Sequence, residues 1–485
     1  MSLQLHQRVG LVLGAVAFTA MLLSPPLAGF SLEAWRTAAV TSLMAIWWAT
    51  EALPIAATAL VPLAALPLLR VVPPDAAAAP YANATIFLIL GGFLVALAME
   101  RWRLHERLAL NIVVRAGGHP RALVFGFMAA TAFMSMWVSN TSTTLMMLPV
   151  ALSVTTVVEP GGEARRSPDA HNFNTALMLG IAYAASIGGL GTLIGTPTNA
   201  IAVAFMHEQY GLDIGFADWL RYGLPTVLLL LPIAWWLLVG VLLRFDLGAG
   251  DSSARVVRQA LASLGSMSVA EGRVALLFAA LAAAWISRPW LQTLPGLSGL
   301  NDMGIGVLAG LLLFLIPSGA GGRLLEAVDL RRIPWDVLLL FGGGLSLAAA
   351  IDSSGLSTRI GESLAGVAGW PAVALIAAVV VLVVLWTELT SNVATVSTFL
   401  PILAAVAAAT AYPPLALIVP AALAGSCAFM LPVATPPNAI VYGTGHVSIG
   451  SMVRVGLWLN LVAAVVLCAL GSWLLASHAS ALPAN

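Results

Sequence analysis

The chain has 485 residues, 60% of them hydrophobic and only 9% charged, with a mean hydropathy of +0.97; a soluble domain is about 25% charged. All 21 basic residues are arginine and 21 acidic residues balance them, so nothing in the charge suggests a nucleic-acid partner. Apolar runs of about 17 to 25 residues, the length of a helix across a bilayer, recur throughout; they exclude a soluble globular fold and predict an all-α polytopic membrane protein.

At the N-terminus, MSLQLHQRVGLVLGAVAFTAMLL carries one positive charge ahead of an apolar run. The SPPLAGF that follows offers no small-residue cleavage site, so the run reads as the first membrane helix and not as a signal peptide. Predicted spans lie at 9–28, 34–50, 54–71, 83–115, 122–156, 172–206, 219–244, 272–290, 303–317, 335–366, 371–406, 413–443 and 451–477. Two of them are unlike the rest. Spans 122–156 and 371–406 are about 35 residues long, and each carries a polar phrase at its centre, MWVSNTSTTLMMLPV at 136–150 and LWTELTSNVATVSTFLPI at 385–402. They are too long for one crossing. Helical hairpins that enter and leave on the same side fit better, which leaves about eleven transmembrane helices plus two re-entrant hairpins.

Arginine placement sets the orientation, because cytoplasmic segments are richer in basic residues. With the N-terminus inside, Arg8, Arg101, Arg103, Arg107, Arg115, Arg121, Arg165 and Arg166 fall on the inner side, as do Arg244, Arg255, Arg258, Arg273, Arg323, Arg331, Arg332 and Arg454. Only Arg36, Arg70, Arg221, Arg288 and Arg359 fall outside. This predicts a multi-pass protein of the inner (plasma) membrane, N-terminus cytoplasmic and C-terminus outside.

The polar phrase belongs to a longer repeat. FLILGGFLVALAMERW at 87–102 is echoed by LLLFGGGLSLAAAIDS at 338–353, and GTLIGTPTNAIAV at 191–203 by MLPVATPPNAIVY at 430–442. The offsets are 251 for the Gly-Gly pairs, 252 for Ser139 to Ser391 and 239 for Asn199 to Asn438; the first copy alone carries the loop EPGGEARRSPDAHN. An odd number of crossings between the copies makes them inverted repeats, an architecture that places a substrate site near the bilayer midplane.

Non-helical backbone survives in a membrane only where protein buries it or a watery cavity bathes it. A tip at Ser139-Asn140-Thr141 leaves N–H and C=O groups free for ligands, and so do the breaks expected at Gly195-Thr196-Pro197-Thr198-Asn199 and Ala434-Thr435-Pro436-Pro437-Asn438, where proline interrupts each helix. N–H groups at a helix start attract anions, while carbonyls and hydroxyls suit Na⁺. No Arg, Lys or His lies within either tip or break. An anion held there needs helix dipoles or a co-bound cation, which favours cation-coupled anion transport. Taken singly, each Ser, Thr or Asn is as well read as helix glue; their mirrored placement is what argues for a site.

These residues resemble the divalent-anion/sodium symporter family, which carries dicarboxylates, citrate or sulfate. The resemblance rests on both Ser-Asn phrases, both Pro-Asn breaks, TEALPIAATALVP at 50–62 and MLPVATPPNAIVYGTGH at 430–446. It implies a homodimer, each copy with a scaffold and a transport domain moving as an elevator. On that pattern residues 1–82 are N-terminal scaffold helices and 83–244 the first inverted repeat, with hairpin 122–156 and broken helix 172–206. Residues 245–271 are a cytoplasmic linker, 272–334 further scaffold helices, and 335–477 the second repeat, with hairpin 371–406 and broken helix 413–443. The resemblance implies a first Na⁺ site from Ser135, Ser139, Asn140 and Gly195 and a second from Thr387, Thr390, Asn392 and Ala434. The dianion would meet Ser139, Asn140, Thr141, Thr196 and Pro197 from one side and Ser391, Asn392, Val393, Thr435 and Pro436 from the other. One departure is Val393, where the family commonly has threonine: either the lost hydroxyl selects a different or smaller anion, or one neutral hydrogen bond is tolerated.

Glu51, Glu100, Asp352 and Glu388 lie in or beside spans, where an ionisable group is a functional candidate or simply a neutralised one. His207 and His446 fall near interfaces. Residues 244–273 read as a linker with a short amphipathic helix. Trp219, Trp285 and Trp290 read as interfacial anchors, and Cys427 and Cys468 as thiols buried in helices. Without HExxH, GxSxG or an intramembrane His-Asp pair, an enzyme is not expected. A channel fits closed tips poorly. The expected function is sodium-coupled symport of a small divalent anion by alternating access, a C4-dicarboxylate such as succinate or malate foremost. Sulfate or citrate as substrate, or a sodium-independent exchanger of the same fold, are the alternatives. Na⁺ is a co-transported ion, not a prosthetic group; the partners are the dianion, sodium ions and the lipid bilayer.

Overall fold

The computed structural model describes residues 5–158, 167–247, 251–363, 366, 369–410 and 412–478. Arg165, Arg166 and most of the loop found only in the first copy lie outside the described residues, as do linker residues 248–250. Among the described residues the chain is helix and loop throughout, apart from one isolated bridge between Pro317 and Arg323.

Helices α1 (Leu5–Leu23) and α2 (Leu32–Thr50) pack together, with Gly10 and Gly14 of α1 seated on Thr50 and Trp47 of α2. Ser31 caps α2 by accepting from the Ala34 amide at 3.0 Å. Short helices α3 (Ile55–Thr58), α4 (Val61–Leu68) and α5 (Pro74–Ala78) lead into α6 (Ala84–Arg101) and α7 (Leu104–Arg115). The single span expected at 83–115 is therefore two helices. Arg103 sits in the left-handed region, φ 56°, and ends α6; the next segment has a polar face, with Arg103 paired to Glu106 at 2.7 Å, that does not continue an apolar crossing. The span expected at 335–366 divides likewise at Gly355, φ 79°, where only glycine turns without strain.

The order continues with α8 (Pro120–Ser135), α9 (Asn140–Val158), α10 (Pro168–Gly189), α11 (Pro197–Tyr210), α12 (Phe216–Trp236, prolonged by a π turn over Leu237–Leu242), α13 (Asp251–Ser263), α14 (Val269–Leu291) and α15 (Asp302–Leu315). Then come α16 (Trp335–Ser353), α17 (Leu356–Ser363), α18 (Ala372–Thr387), α19 (Asn392–Thr410), α20 (Pro414–Ala424), α21 (Pro436–Tyr442) and α22 (Ile449–His478). The order from α6 to α12 thus recurs from α16 to α22. The copies interlock, since α9 lies on α21, α19 on α11, and α10 on α21. The Gly-Gly pairs let helices approach closely: Gly91 meets the backbone of Gly306, and Gly343 that of Ala59.

Among the described residues seven helical stretches are long and apolar enough to cross a membrane: Leu5–Leu23, Pro74–Arg101, Phe216–Leu242, Val269–Leu291, Trp335–Ser353, Asn392–Thr410 and Ile449–Ser477. Two of the three tryptophans expected at the interface are instead core residues. Trp219 and Trp285 are fully buried, because each indole N–H finds a carbonyl inside the fold, Leu190 at 3.1 Å and Asp302 at 2.9 Å; Trp290 is exposed. Cys427 is buried in a loop rather than a helix, and Cys468 is half-buried; both thiols are free. The arginine-rich ends are cross-braced: Arg107 pairs with Glu271 in the capping box of α14, Arg101 with Asp329, and Arg332 with Glu100 at 3.2 Å. Glu100 is thereby a neutralised carboxylate, and Glu51 an exposed one at a left-handed helix end.

Candidate functional site

Two helix pairs, α8–α9 and α18–α19, turn over at residues 136–139 and 388–391, and each turn abuts a helix break in its own copy. At the first turn Ser135 is fully buried, and its Oγ lies 2.6 Å from Asn140 Oδ1 and 2.7 Å from the Ala185 carbonyl. At the second, Thr387 is equally buried, with Oγ1 2.9 Å from Asn392 Oδ1 and 2.7 Å from the Gly425 carbonyl. A hydroxyl has one proton. Each cluster therefore gathers three oxygens around a single hydrogen and keeps lone pairs to spare. Neither Asn140 Nδ2 nor Asn392 Nδ2 has a partner among the described residues, so each amide has its oxygen in the cluster and its N–H groups free. Both asparagines open a helix, where N–H groups and dipole favour an anion.

The breaks are α10 to α11, residues 190–196, and α20 to α21, residues 425–435. Each folds over an asparagine in the next helix. Asn199 Nδ2 donates to the carbonyls of Gly189 at 2.9 Å and Thr192 at 2.8 Å; Asn438 Nδ2 donates to those of Ala428 at 3.1 Å and Leu431 at 3.0 Å. All three pairs of positions keep the offset of 239. Asn199 and Asn438 are fully buried, with each Oδ1 lacking a hydrogen-bond partner. The Pro-Asn spacing marked both asparagines in the sequence, but their splinting role depends on carbonyls seven to ten residues back and was not legible there. Pro197 and Pro436 do not interrupt helices, as the sequence had suggested. They occupy the first turn of the helix that follows, where a missing N–H costs nothing, and the chain has left helix several residues earlier.

Turn and break are tied differently in the two copies. Thr192 donates its hydroxyl to the Met136 carbonyl in the first. In the second, Glu388 accepts from the amides of Phe429 at 2.7 Å, Met430 at 2.9 Å and Leu431 at 3.1 Å. The two copies meet at the breaks, where Thr198 in the first turn of α11 sets its Oγ1 2.7 Å from Ser426 Oγ of the second break, both buried.

The other expected residues fall around this frame. Ser139 Oγ accepts from the Ser142 amide at 3.2 Å, and Thr141 is half-buried in the first turn of α9. A Cβ on Gly195 would collide with the Gly189 carbonyl, so the break closes too tightly there for any side chain. Thr196 and Thr435 precede α11 and α21 in extended backbone, and Ala434 is buried. Thr390 Oγ1 is engaged with Thr395 Oγ1 at 2.7 Å. Ser391, Asn392 and Val393 are half-buried. Asp352 accepts from Ser357 at 3.3 Å, His207 pairs with Asp213 at 2.6 Å, and the His446 carbonyl accepts from Thr175 at 2.9 Å. A cavity of about 350 Å³ lined by His119, Arg121, Asp169, Arg244 and Asp246 lies apart from both turns. Two arginines and two aspartates line it, so its formal charges cancel, and the turns remain the candidate site.

The sodium:sulfate symporter transmembrane region, as a family, matches residues 5–477. The sodium-dependent dicarboxylate transporter SdcS of Staphylococcus saprophyticus is 41% identical over 471 residues, 96% of this chain and 91% of that protein. SdcS of Staphylococcus aureus is 40% identical over 466 residues, 95% and 90% of the two chains. In fold, the chain is similar to the YdaH transporter of Alcanivorax borkumensis, with a TM-score of 0.57 at 15% identity over 90% of this chain and 98% of that one. It is also similar to MtrF of Neisseria gonorrhoeae, with a TM-score of 0.54 at 13% identity over 84% and 83%. Matched along nearly its whole length by a symporter family and by transporters at two-fifths identity, the chain belongs to the sodium:sulfate symporter family, the divalent-anion/sodium symporters.

Proposed function

We propose that this protein is a secondary active transporter that carries a small divalent anion, a C4-dicarboxylate such as succinate or malate, together with Na⁺ by alternating access. The observation that carries the reading is the pair of proton-poor oxygen clusters, Ser135–Asn140–Ala185 and Thr387–Asn392–Gly425. Oxygen lone pairs that outnumber protons in a buried place suit a bare monovalent cation. The free Nδ2 groups of Asn140 and Asn392 then face a carboxylate, so that each amide serves cation and anion together. Ser139, Gly195, Thr390 and Ala434 complete the cation shells, and Thr141, Ser391, Val393, Thr196, Pro197, Thr435 and Pro436 line the anion's surroundings. The SdcS relatives support a dicarboxylate as cargo.

In this reading six of the seven long stretches, the shorter Ile55–Leu68 and Asp302–Leu315, helix α2 and the two broken helices α10–α11 and α20–α21 make eleven crossings, while α8–α9 and α18–α19 are re-entrant, so that Asn392–Thr410 does not cross. The copies are inverted, residues 1–82 and 272–334 form the scaffold of a plasma-membrane homodimer, and the segments holding the turns and breaks move as an elevator. The N-terminus is cytoplasmic and the C-terminus outside. Uptake of radiolabelled succinate into proteoliposomes tests the coupling. Accumulation against a gradient only when Na⁺ is imposed is expected; sodium-independent exchange between internal and external succinate would instead make the protein an exchanger. Competition by sulfate and citrate identifies the anion.

A further inference from the structure

We infer that Glu388 is a fixed counter-charge that gives the second cation site a higher Na⁺ affinity than the first; the inference rests on reading Thr387 and Asn392 as part of that site. Glu388 is buried, 4% exposed, directly after Thr387 and at the start of the second turn. Besides the amides of Phe429, Met430 and Leu431, Asn460 Nδ2 of α22 donates to it at 2.7 Å. Four N–H donors converge on its two oxygens. A protonated acid would turn its own hydrogen against one of them, so the geometry selects the carboxylate. No arginine or histidine pairs with it among the described residues, and the amides supply partial charge only. The carboxylate thus brings a net negative charge to one turn and not to the other.

The first copy shows what is absent without it. At the offset of 252 the counterpart of Glu388 is Met136, whose backbone carbonyl takes the Thr192 hydroxyl; Thr192 in turn matches Leu431 at the offset of 239. A neutral hydrogen bond fastens turn to break in the first copy, and a charge does so in the second. Both oxygen clusters are otherwise alike in donor types and spacing. Glu388 follows Thr387 directly, and its carboxylate closes on the amides of Phe429 to Leu431, a few residues after the Gly425 carbonyl of the same cluster, in a buried region where a unit charge acts strongly. A cation in the second cluster is attracted to it. A dianion approaching before that cation is repelled, so the second site fills ahead of the substrate.

The test compares sodium activation of succinate uptake in proteoliposomes, with choline replacing Na⁺, for the wild-type chain and for E388Q and N460L. Losing the charge in E388Q is expected to raise half-activating Na⁺ about tenfold or more, whereas N460L, which removes one donor and keeps the charge, shifts it less than about twofold. A wild-type sodium curve in E388Q overturns the inference, as does an equal shift in N460L, which would mark a structural brace and not a charge. If E388Q does not fold, Na⁺-induced thermal stabilisation of S135A and T387A decides. S135A, with the second site intact, is expected to respond at lower Na⁺ than T387A, and equal responses overturn the asymmetry. Should wild-type uptake itself ignore Na⁺, the symport reading fails before the question of Glu388 arises.

Discussion

Asn199→Leu is the sharpest test of how the helix breaks are held open. Leucine keeps the heavy-atom branching, with bulkier methyls in place of the amide ends, and withdraws the Nδ2 that joins the Gly189 and Thr192 carbonyls at 2.9 and 2.8 Å, in a position of no solvent exposure. The Thr192 carbonyl keeps the Gly195 amide at 3.3 Å and loses one hydrogen bond, about 0.5–1.5 kcal/mol, while the Gly189 carbonyl is left without a donor at about 1–3 kcal/mol, so the loss is about 1.5–4.5 kcal/mol before relaxation. Against this, Asn199 Oδ1 has no hydrogen-bond partner now, and removing it returns about 1–3 kcal/mol. The net of these two terms is a destabilisation of about 0.5–1.5 kcal/mol, to which packing the bulkier leucine adds, concentrated in residues 190–196. Because those residues carry the Gly195 carbonyl proposed for the first cation, half-activating Na⁺ should rise by about tenfold for each 1.4 kcal/mol that falls on the bound conformation. Asn199→Asp should be worse than leucine, since it sets a negative charge against two carbonyl oxygens. The assay is sodium-activated succinate uptake, with unfolding temperature measured on the same purified protein. Wild-type sodium activation and unfolding temperature in Asn199→Leu would refute the splint.

Three further outcomes follow from the site. Asn140→Ala or Asn392→Ala should abolish Na⁺-dependent stabilisation and succinate binding together, since one amide is assigned to both ligands; near-normal uptake in either variant contradicts the shared site. Val393→Thr restores the hydroxyl common in the family and should change the competition profile of sulfate, succinate and citrate while leaving sodium activation alone, and an identical profile shows that position 393 does not select. Thr198→Val and Ser426→Ala remove the two ends of one buried hydrogen bond between the breaks, so their effects on sodium activation should fall short of additivity by about 1 kcal/mol in a double-mutant cycle. Strict additivity would mean that the two breaks act independently.

The architecture was largely legible because its signals are local. Apolar span length, the twin Ser-Asn phrases and the three offsets already placed the elements that the structure draws together. The errors also have local causes. The charged stretch ERWRLHER at 100–107 was the available sign that the crossing ends there, but nothing local marks Arg103 as left-handed, so 83–115 looked like one helix. Proline marks the vicinity of a break but not its start, because Pro197 and Pro436 are pre-organised to open helices. Trp219 looked interfacial because tryptophan usually is; its indole N–H instead supports the Leu190 carbonyl beside the break. The clasp of Glu388 on three amides more than forty residues away has no local signal beyond an acidic residue next to a polar tip.

The lack of positive side chains at the turns carries a consequence for the order of events. A dianion cannot enter a pocket that offers only half-helix dipoles and amides unless its charge is balanced, and no basic side chain lies within either turn or break. The oxygen clusters repel it further while they are empty, because their lone pairs outnumber their protons. On the proposed reading, once cations fill them, the same asparagines that turn oxygen toward the cation offer their free N–H groups to the anion, and the pocket would change from one that rejects an anion to one that binds it. In the proposed site coupling needs no message relayed between distant sites: cation and dianion would share Asn140 and Asn392, and the favourable energy of the second binding event would exist only after the first. An exchanger of the same fold could instead set permanent positive charge where this chain has serine, threonine and asparagine.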